Sequence, residues 1–579
     1  MLLKRVLPFL ILWLGFALSQ SDQSTTRPNI IFLLTDDQDL HLESLNYMPL
    51  LKKHLLNEGT FYTKHYCTIA LCCPARVTLW TGKAAHNTNV TDVNPPYGGY
   101  PKFVSQGLNS DYLPVWLQAA GYNTYYVGKL FNALSTTTWN APFVAGWTGS
   151  DFLLDPYTYR YYNATFQRNH DPPVSYGGNY STGANYSTDV VASKAFGFLD
   201  DGVKDGKPFF LGIAPIAPHS EVGEPNATSE FTEPLPAARH KYLFQGVQVP
   251  RSQSFNPDMP SGASWVRALP RQNDTNVAYN DHFYRQRLRA LQAVDELVDD
   301  LFAKLEAYGL LDNTYIIYTA DNGYHIGQHR LQPGKTTGYE EDVNVPLVIR
   351  GPGVAKNVTT ELVTTHTDLS PTILDLIGLS PRPDFDGLAI PIHVTEIQRA
   401  KRSSKQKWQE HANVEFWGVG IGEGTYGDNT LNNTYKAVRV LSEEYNLYYA
   451  VWCNNEHELY DLSNDQFQLN SLLLPSQAQA TLLDYPVSKV ASRLDALLLV
   501  LKSCKGDSCI EPWLSLHPQG DVSTLTQALN SKYDEFYERQ EVKVKYTKCE
   551  LGYLIGSEGP QFLTDGLIYR DGASWSAWT

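Results

Sequence analysis

Residues 28–39 read Pro28-Asn29-Ile30-Ile31-Phe32-Leu33-Leu34-Thr35-Asp36-Asp37-Gln38-Asp39. An unbroken apolar run rich in β-branched and aromatic residues stops dead at a pair of carboxylates. The run is too short for a typical helix and shows no apolar/polar alternation, so it reads as a strand buried on both faces of a parallel sheet. Open α/β sheets bind ligands beyond the carboxyl ends of such strands, which is where Asp36 and Asp37 stand. Taken alone, the pair also fits, less well, a solvated turn leading into a helix cap.

The same grammar recurs along the chain. The spacing predicts a strand over 122–127 that ends in Gly128-Lys129, and a strand over 208–214 followed by Pro215-Ile216-Ala217-Pro218-His219. A third, over 314–320, runs into Asp321-Asn322-Gly323, and a fourth spans 345–350. Between them lie helical patterns at 112–120, 190–199 and 283–308, the last with leucines and valines at three- and four-residue steps and Gly309 at its end. Asp368 is expected to cap a helix running through Ile377 to Gly378. Residues 132–186 and 220–280 read as long loops. Together these predict an α/β fold with a large, mostly parallel mixed sheet flanked by helices. Past a compositional shift at 385–410, with a basic run at 399–407 read as a linker, an antiparallel hairpin (435–441 and 447–453) and an amphipathic helix (487–501) predict a smaller α+β domain. The expected division is residues 27–395 and 410–579.

Composition narrows the class. The chain has 579 residues and a net charge of -15, which disfavours nucleic acid as a partner. Residues 1–19 carry Lys4 and Arg5, an apolar run and Ala17-Leu18-Ser19, the pattern of a signal peptide. No later stretch is apolar enough to span a bilayer, so no membrane anchor is expected. Sequons at Asn89, Asn163, Asn179, Asn185, Asn226, Asn273, Asn357 and Asn432 agree with passage through the secretory pathway. The destination is expected to be extracellular or vacuolar-lysosomal. Seven cysteines leave one unpaired. Cys504 and Cys509 suit a local disulfide, and the rest pair evenly if one of Cys67, Cys72 and Cys73 has another fate.

That trio lies in Cys67-Thr68-Ile69-Ala70-Leu71-Cys72-Cys73-Pro74-Ala75-Arg76, followed by Thr81-Gly82-Lys83. Pro74 suits a first helical turn, and a thiol at a helix start is expected to have a lowered pKa. Asp36, Asp37, Asp321 and Asn322 are hard oxygen donors of the kind that hold Ca²⁺ or, less readily, Mg²⁺. Arg76, Lys129, Lys335 and His219 add positive charge beside them. Cations around a metal make sense when an anion enters too, so the set predicts a tetrahedral anionic group such as sulfate or phosphate.

The segment Cys72-Cys73-Pro74-Ala75-Arg76 with its following Thr-Gly resembles the signature of the formylglycine-dependent sulfatase family. Thr35–Asp39, Gly128-Lys129, Ala217–His219, Asp321–Gly323 and Lys335 fall in that family's order, and residues 71–76 and 321–328 look most like fungal arylsulfatases and lysosomal N-acetylglucosamine-6-sulfatase. The resemblance covers roughly residues 27–465. It implies an alkaline-phosphatase-like superfold and a hydrolase acting on a small sulfate ester, either an aryl sulfate or a sulfated sugar. It implies that Cys72 becomes formylglycine through a maturation enzyme, and that one hydroxyl of its hydrate attacks sulfur while the other expels sulfate. By the same resemblance residue 72 joins Asp36, Asp37, Asp321 and Asn322 around one Ca²⁺, Arg76 holds the diol, and Lys129, His219 and Lys335 bind sulfate oxygens. The family often has His two residues after the lysine of Gly-Lys. Here that residue is Phe131, and Asn132 is the expected substitute. His325, and less strongly His86, are further candidates for touching substrate.

Overall fold

The computed structural model describes residues 27–223, 231–259, 262–402, 408–540 and 542–561. The leader expected at 1–19 and the sequon at Asn226 lie outside them.

Ten strands form the main sheet. In chain order they are β1 (Asn29–Thr35), β2 (Thr60–Tyr62), β3 (Asn123–Gly128), β4 (Gly149–Leu153), β5 (Thr165–Arg168), β6 (Val174–Ser175), β7 (Phe209–Ala214), β8 (Thr314–Ala320), β9 (Leu347–Arg350) and β10 (Val358–Thr360). Their spatial order is β10-β2-β9-β8-β1-β7-β3-β4-β5-β6. The five strands from β8 to β4 run parallel, so their carboxyl ends share one edge. Antiparallel pairing is confined to the flanks, at β8–β9, β9–β2, β4–β5 and β5–β6.

The strand β1 is apolar throughout because both its faces are covered. Ile31 and Leu33 point into one core, against helices α3 (Ser187–Asp205) and α4 (Asp274–Ala307). Ile30, Phe32 and Leu34 point into the other, with Val77, Leu79 and Trp80 of helix α1 (Cys72–Thr81) and Leu113 and Leu117 of α2 (Leu113–Ala119). Trp80 sits 5.1 Å from Phe32, centroid to centroid. The helix α4 starts nine residues earlier than its apolar stripe suggests, where the Asn273 side chain accepts from Asn276 N–H and caps it.

Residues 411–461 form a separate four-stranded antiparallel sheet of His411–Phe416, Tyr435–Leu441, Asn446–Trp452 and His457–Asp461, paired in sequence order. Helix Val487–Leu501 packs on it. Within the stretch read as a linker, Val394–Arg402 is helical, and residues 403–407 of the basic run lie outside the described segments. The helix assigned to Asp368 runs over Leu369–Leu376. Thr365, not Asp368, caps the 3₁₀ turn His366–Asp368 before it, in a box in which the Asp368 side chain accepts from the Thr365 N–H, and Asp368 makes no side-chain cap bond to the helix itself. Two disulfides form, Cys453–Cys549 and Cys504–Cys509. Even pairing of six cysteines is not what the chain does: Cys67 and Cys73 are free and buried, as is Cys72. Among described residues no helix is long and apolar enough to cross a membrane. Of the seven described sequon asparagines, six are exposed and Asn89 is half-buried.

Candidate active site

Parallel strands gather the predicted residues at one edge. Thr35 of β1 pairs with Ala320 of β8, so Asp36 and Asp37 emerge beside Asp321 and Asn322. Gly128 pairs with Ala214 across β3 and β7 and has φ 109°. A Cβ there would lie 2.0 Å from the Ala214 carbonyl oxygen, so only glycine permits the approach that turns Lys129 inward. The helix Cys72–Thr81 ends on Gly82 at φ 66° and starts with its first residue, Cys72, over the strand ends.

The side chains form one buried network. Cys72 Sγ lies 3.5 Å from Asp36 Oδ1 and 3.9 Å from Asp37 Oδ1. Lys129 Nζ donates to Asp36 Oδ2 at 2.6 Å, and Lys335 Nζ to Asp37 Oδ2 at 2.5 Å. Arg76 Nε donates to Asp321 Oδ2 at 2.7 Å and Nη1 to the Lys129 carbonyl. His219 Nε2 stands 3.5 Å from Asp37 Oδ2, while its Nδ1 lies 2.7 Å from the Ser220 carbonyl oxygen. Asn322 Nδ2 donates to Asp37 Oδ1 at 2.8 Å.

Three carboxylates packed together conflict, and the network divides the strain unequally. Burial, then the nearby Asp321 charge, pushes Asp36 above the usual carboxylate range. Burial also pushes Asp37 up, but Lys335 and His219 outweigh it and hold it low. For Asp321, Arg76 and Lys129 overcome burial in the same way. The expectation of a low-pKa thiol at the helix start fails. Burial drives the Cys72 thiol far up, and the lysines only partly offset it. A cysteine held protonated is a poor nucleophile.

The donor set fits a divalent cation. Ligand-capable atoms of Asp36, Asp37, Cys72 and His219 lie within 4.8 Å of one another. Asn322 Oδ1 is buried with no hydrogen-bond partner, and so is Arg76 Nη2. An orphaned oxygen beside three carboxylates suits a hard cation such as Ca²⁺ or Mg²⁺, and an orphaned guanidinium N–H suits an anionic oxygen.

The remaining candidates separate. His325 lies near Lys335, with Nδ1 2.7 Å from Asp342 Oδ1 and Nε2 unpartnered. Asn132 is one step removed: its Nδ2 donates to the Tyr159 hydroxyl, whose ring stacks 4.0 Å from His219 and lies 4.5 Å from Lys129 Nζ. Phe131 packs on Phe103 in the core. His86 is elsewhere, with both ring nitrogens taken by Glu415 and the Cys504 carbonyl.

Three residues escaped sequence reasoning. Arg287 sits beside the leucine and valine stripe of the helix predicted over 283–308. It is buried and donates to the backbone carbonyls of Asp37 (2.5 Å) and Pro218 (3.2 Å), tying two strand-end loops to α4. Its signal was an arginine in step with Leu291, Val294 and Val298 on an apolar face. Glu423 arrives from beyond the main sheet. It accepts from Ser220 Oγ and Tyr324 Oη and lies 3.6 Å from Lys335 Nζ. Its neighbours Ile421 and Gly422 pair antiparallel with Lys335 and Gly334. Tyr159 does not stand out in a tyrosine-rich segment, and Glu423 sits in a glycine-rich loop with no strand-end signal of its own.

Comparison with known proteins adds an independent line. A family model described as Sulfatase matches residues 28–379. An arylsulfatase of Volvox carteri is 40% identical over 563 residues, 93% of this chain and 84% of the relative. An N-acetylglucosamine-6-sulfatase of Homo sapiens is 31% identical over 519 residues, 84% of this chain and 87% of the relative. A solved structure described as bound to its substrate D-glucosamine-2-N,6-O-disulfate superposes with a TM-score of 0.64 at 21% identity, covering 86% of this chain and 99% of that one.

Proposed function

Because the chain belongs to the sulfatase family and so is a sulfuric-ester hydrolase, we propose that it is a secreted arylsulfatase that cleaves aryl sulfates to a phenol and sulfate. The observation that carries this reading is Cys72 itself, 3.5 Å from Asp36 Oδ1 and surrounded by Arg76, Lys129, Lys335 and His219. A protonated, buried thiol has no chemistry of its own here. Conversion to formylglycine by a maturation enzyme would give residue 72 a hydrated aldehyde; one hydroxyl of this gem-diol attacks sulfur as the sulfur–oxygen bond to the phenol breaks and the phenol takes up a proton, and deprotonation of the second hydroxyl then expels sulfate and restores the aldehyde.

Asp36, Asp37, Asp321, Asn322 and residue 72 would hold Ca²⁺, which supplies Lewis-acid charge for the sulfate oxygens. The chain's own groups do the rest. Arg76, fixed by Asp321 and the Lys129 carbonyl, favours the ionised diol. Lys129 and Lys335 bind sulfate oxygens as they turn from Asp36 and Asp37. His219, steadied by the Ser220 carbonyl and the Tyr159 ring, keeps Nε2 toward the site for the leaving oxygen. His325, and Asn132 through Tyr159, contact or frame the substrate. Residues 27–395 form the catalytic domain, and the domain at 410–579 contributes Glu423. The leader at 1–19 and the sequons take the protein along the secretory route to the cell exterior or a vacuole.

Mass spectrometry of the peptide bearing residue 72, from protein made in its own host, tests this. Loss of the thiol to an aldehyde or its hydrate is expected. A fully intact Cys72 in active enzyme would remove the mechanism.

A further inference from the structure

Glu423 is a buried negative charge, 1% exposed, beside a site for an anion. Like charges repel, so a carboxylate here weakens sulfate binding unless a cation answers it.

Its backbone is held in register with Lys335. Gly334 and Lys335 pair antiparallel with Gly422 and Ile421, and the Glu423 N–H donates to the Pro333 carbonyl at 2.6 Å. A Cβ on residue 334 would lie 2.1 Å from the Ile421 carbonyl oxygen, so glycine admits this ribbon. The two carboxylate oxygens then differ. Oε2 accepts from Ser220 Oγ and, at 2.6 Å, from the Tyr324 hydroxyl. Ser220 follows His219, and Tyr324 lies just past Asn322, so this oxygen is anchored to two loops of the site. Oε1 is buried, accepts no hydrogen bond and stands 3.6 Å from Lys335 Nζ. That is the carboxylate's one ion pair among the described residues.

Lys335 has one ammonium and two duties. It donates to Asp37 Oδ2 at 2.5 Å, and sulfate binding needs it on an anion oxygen. A buried cation that leaves its carboxylate with no other partner is strongly destabilised. Lys129 faces the same change with Asp321 Oδ2 at 4.0 Å and the Tyr159 ring at 4.5 Å as second contacts. Lys335 has Glu423 Oε1. A small swing of the ammonium closes that gap to hydrogen-bond length, and its other N–H groups stay available for the anion.

We infer that Glu423 is a positioning residue: its free Oε1 takes up Lys335 as the lysine leaves Asp37, and so aims the ammonium at the sulfate group. A residue from beyond the main sheet thereby completes the anion site. The inference rests on the sulfate-ester reading of that site and adds a residue to it.

Calorimetric titration of inorganic sulfate into the mature, Ca²⁺-loaded protein reads anion affinity without turnover, and hydrolysis of 4-nitrophenyl sulfate reads KM and kcat. Glu423→Gln keeps an oxygen for Ser220 and Tyr324 and removes the charge. Its sulfate Kd should rise about tenfold, as for one lost charge-assisted contact, and KM should rise with it while kcat carries little of the change. Glu423→Asp keeps the charge but draws the oxygen back from Lys335, so its Kd should rise as well; it carries the test if the Gln variant does not fold. In a Lys335→Met background, Glu423→Gln should raise Kd no further, because the effect runs through the lysine. A glutamate that only supports the fold would lower the melting temperature and leave Kd alone. An unchanged Kd in a folded variant, tighter sulfate binding once the charge is gone, or an equal loss without Lys335 overturns the inference. Any of these, in a parent that binds sulfate and cleaves the aryl ester, leaves the proposed function standing. A parent that does neither removes both.

Discussion

Asp36 and Glu415 are both fully buried carboxylates, and their surroundings are opposite in kind. Glu415, in the four-stranded sheet, is saturated. Its Oε1 accepts from the His86 backbone N–H at 3.0 Å, and its Oε2 from Lys436 Nζ at 2.7 Å with His86 Nδ1 at 2.8 Å. Those partners overcome burial and hold it at about 2. Asp36 is pushed the other way, by burial and by Asp321, although Lys129 Nζ donates to it at 2.6 Å, and Arg76 Nη2, 3.7 Å from Asp36 Oδ2, and Asn322 Oδ1 have no hydrogen-bond partner. Burial of charge therefore does not mark a working site in this protein. What distinguishes the Asp36 cluster from Glu415 is the unsatisfied hydrogen-bonding capacity of Arg76 and Asn322 beside the carboxylates.

The comparison can be broken at either end. The largest effect is expected at the unsaturated cluster. Cys72→Ala should lower kcat for an aryl sulfate by about 10³-fold or more, while thermal melting stays close to that of the parent. Retained turnover would show that the cluster owes nothing to residue 72.

At the saturated cluster the order reverses. Glu415→Gln leaves Lys436 buried beside a neutral amide, with Glu558 3.8 Å away as its other carboxylate. Urea unfolding should show a loss of roughly 3 kcal/mol, typical of a broken buried pair, with kcat/KM of the folded fraction unchanged. A change in kcat/KM would mean the two clusters communicate.

A third buried carboxylate sharpens the contrast with a smaller effect. Glu458 accepts from Trp452 Nε1 and the hydroxyls of Tyr460 and Tyr339, with no cation bonded to it, and burial raises it to about 7. A raised folded pKa gives stability that is complete below the unfolded value near 4.5 and is lost as pH rises through about 7. Glu458→Gln removes that ionisation. Its melting temperature relative to the parent should therefore improve by about 1–2 °C between pH 5 and pH 8. A constant difference across that range would show that Glu458 does not titrate there.

The same contrast explains what the sequence disclosed. Strand ends are local signals: an apolar run followed by Asp36-Asp37 or Asp321-Asn322 states both the strand and its functional end. The parallel core then makes their convergence a matter of topology. The carboxylates, Lys129 and His219 were legible for that reason, while Arg76 in its helix and Lys335 in its loop were carried by the family resemblance. Glu423 and Tyr159 were not, because they reach the site from loops whose path depends on tertiary packing. The thiol's pKa was misjudged because a helix terminus is visible in sequence, whereas the opposing desolvation depends on what covers Cys72. His86 sits close in sequence to the Cys72 helix, but it faces Glu415, so nearness along the chain misled.

The position of β1 carries a further consequence, for how the chain comes together in time. The earliest strand among the described residues lies in the middle of the sheet, hydrogen-bonded to β7 on one side and β8 on the other. Until residues 209–214 and 314–320 exist, its apolar length has both edges bare, the condition in which nascent strands invite wrong partners. Its contacts are among the most distant in the chain, so their formation is slow compared with local helices. A polypeptide ending before residue 314 would carry Asp36, Asp37, Cys72 and Lys129 without the strand that brings Asp321 to them.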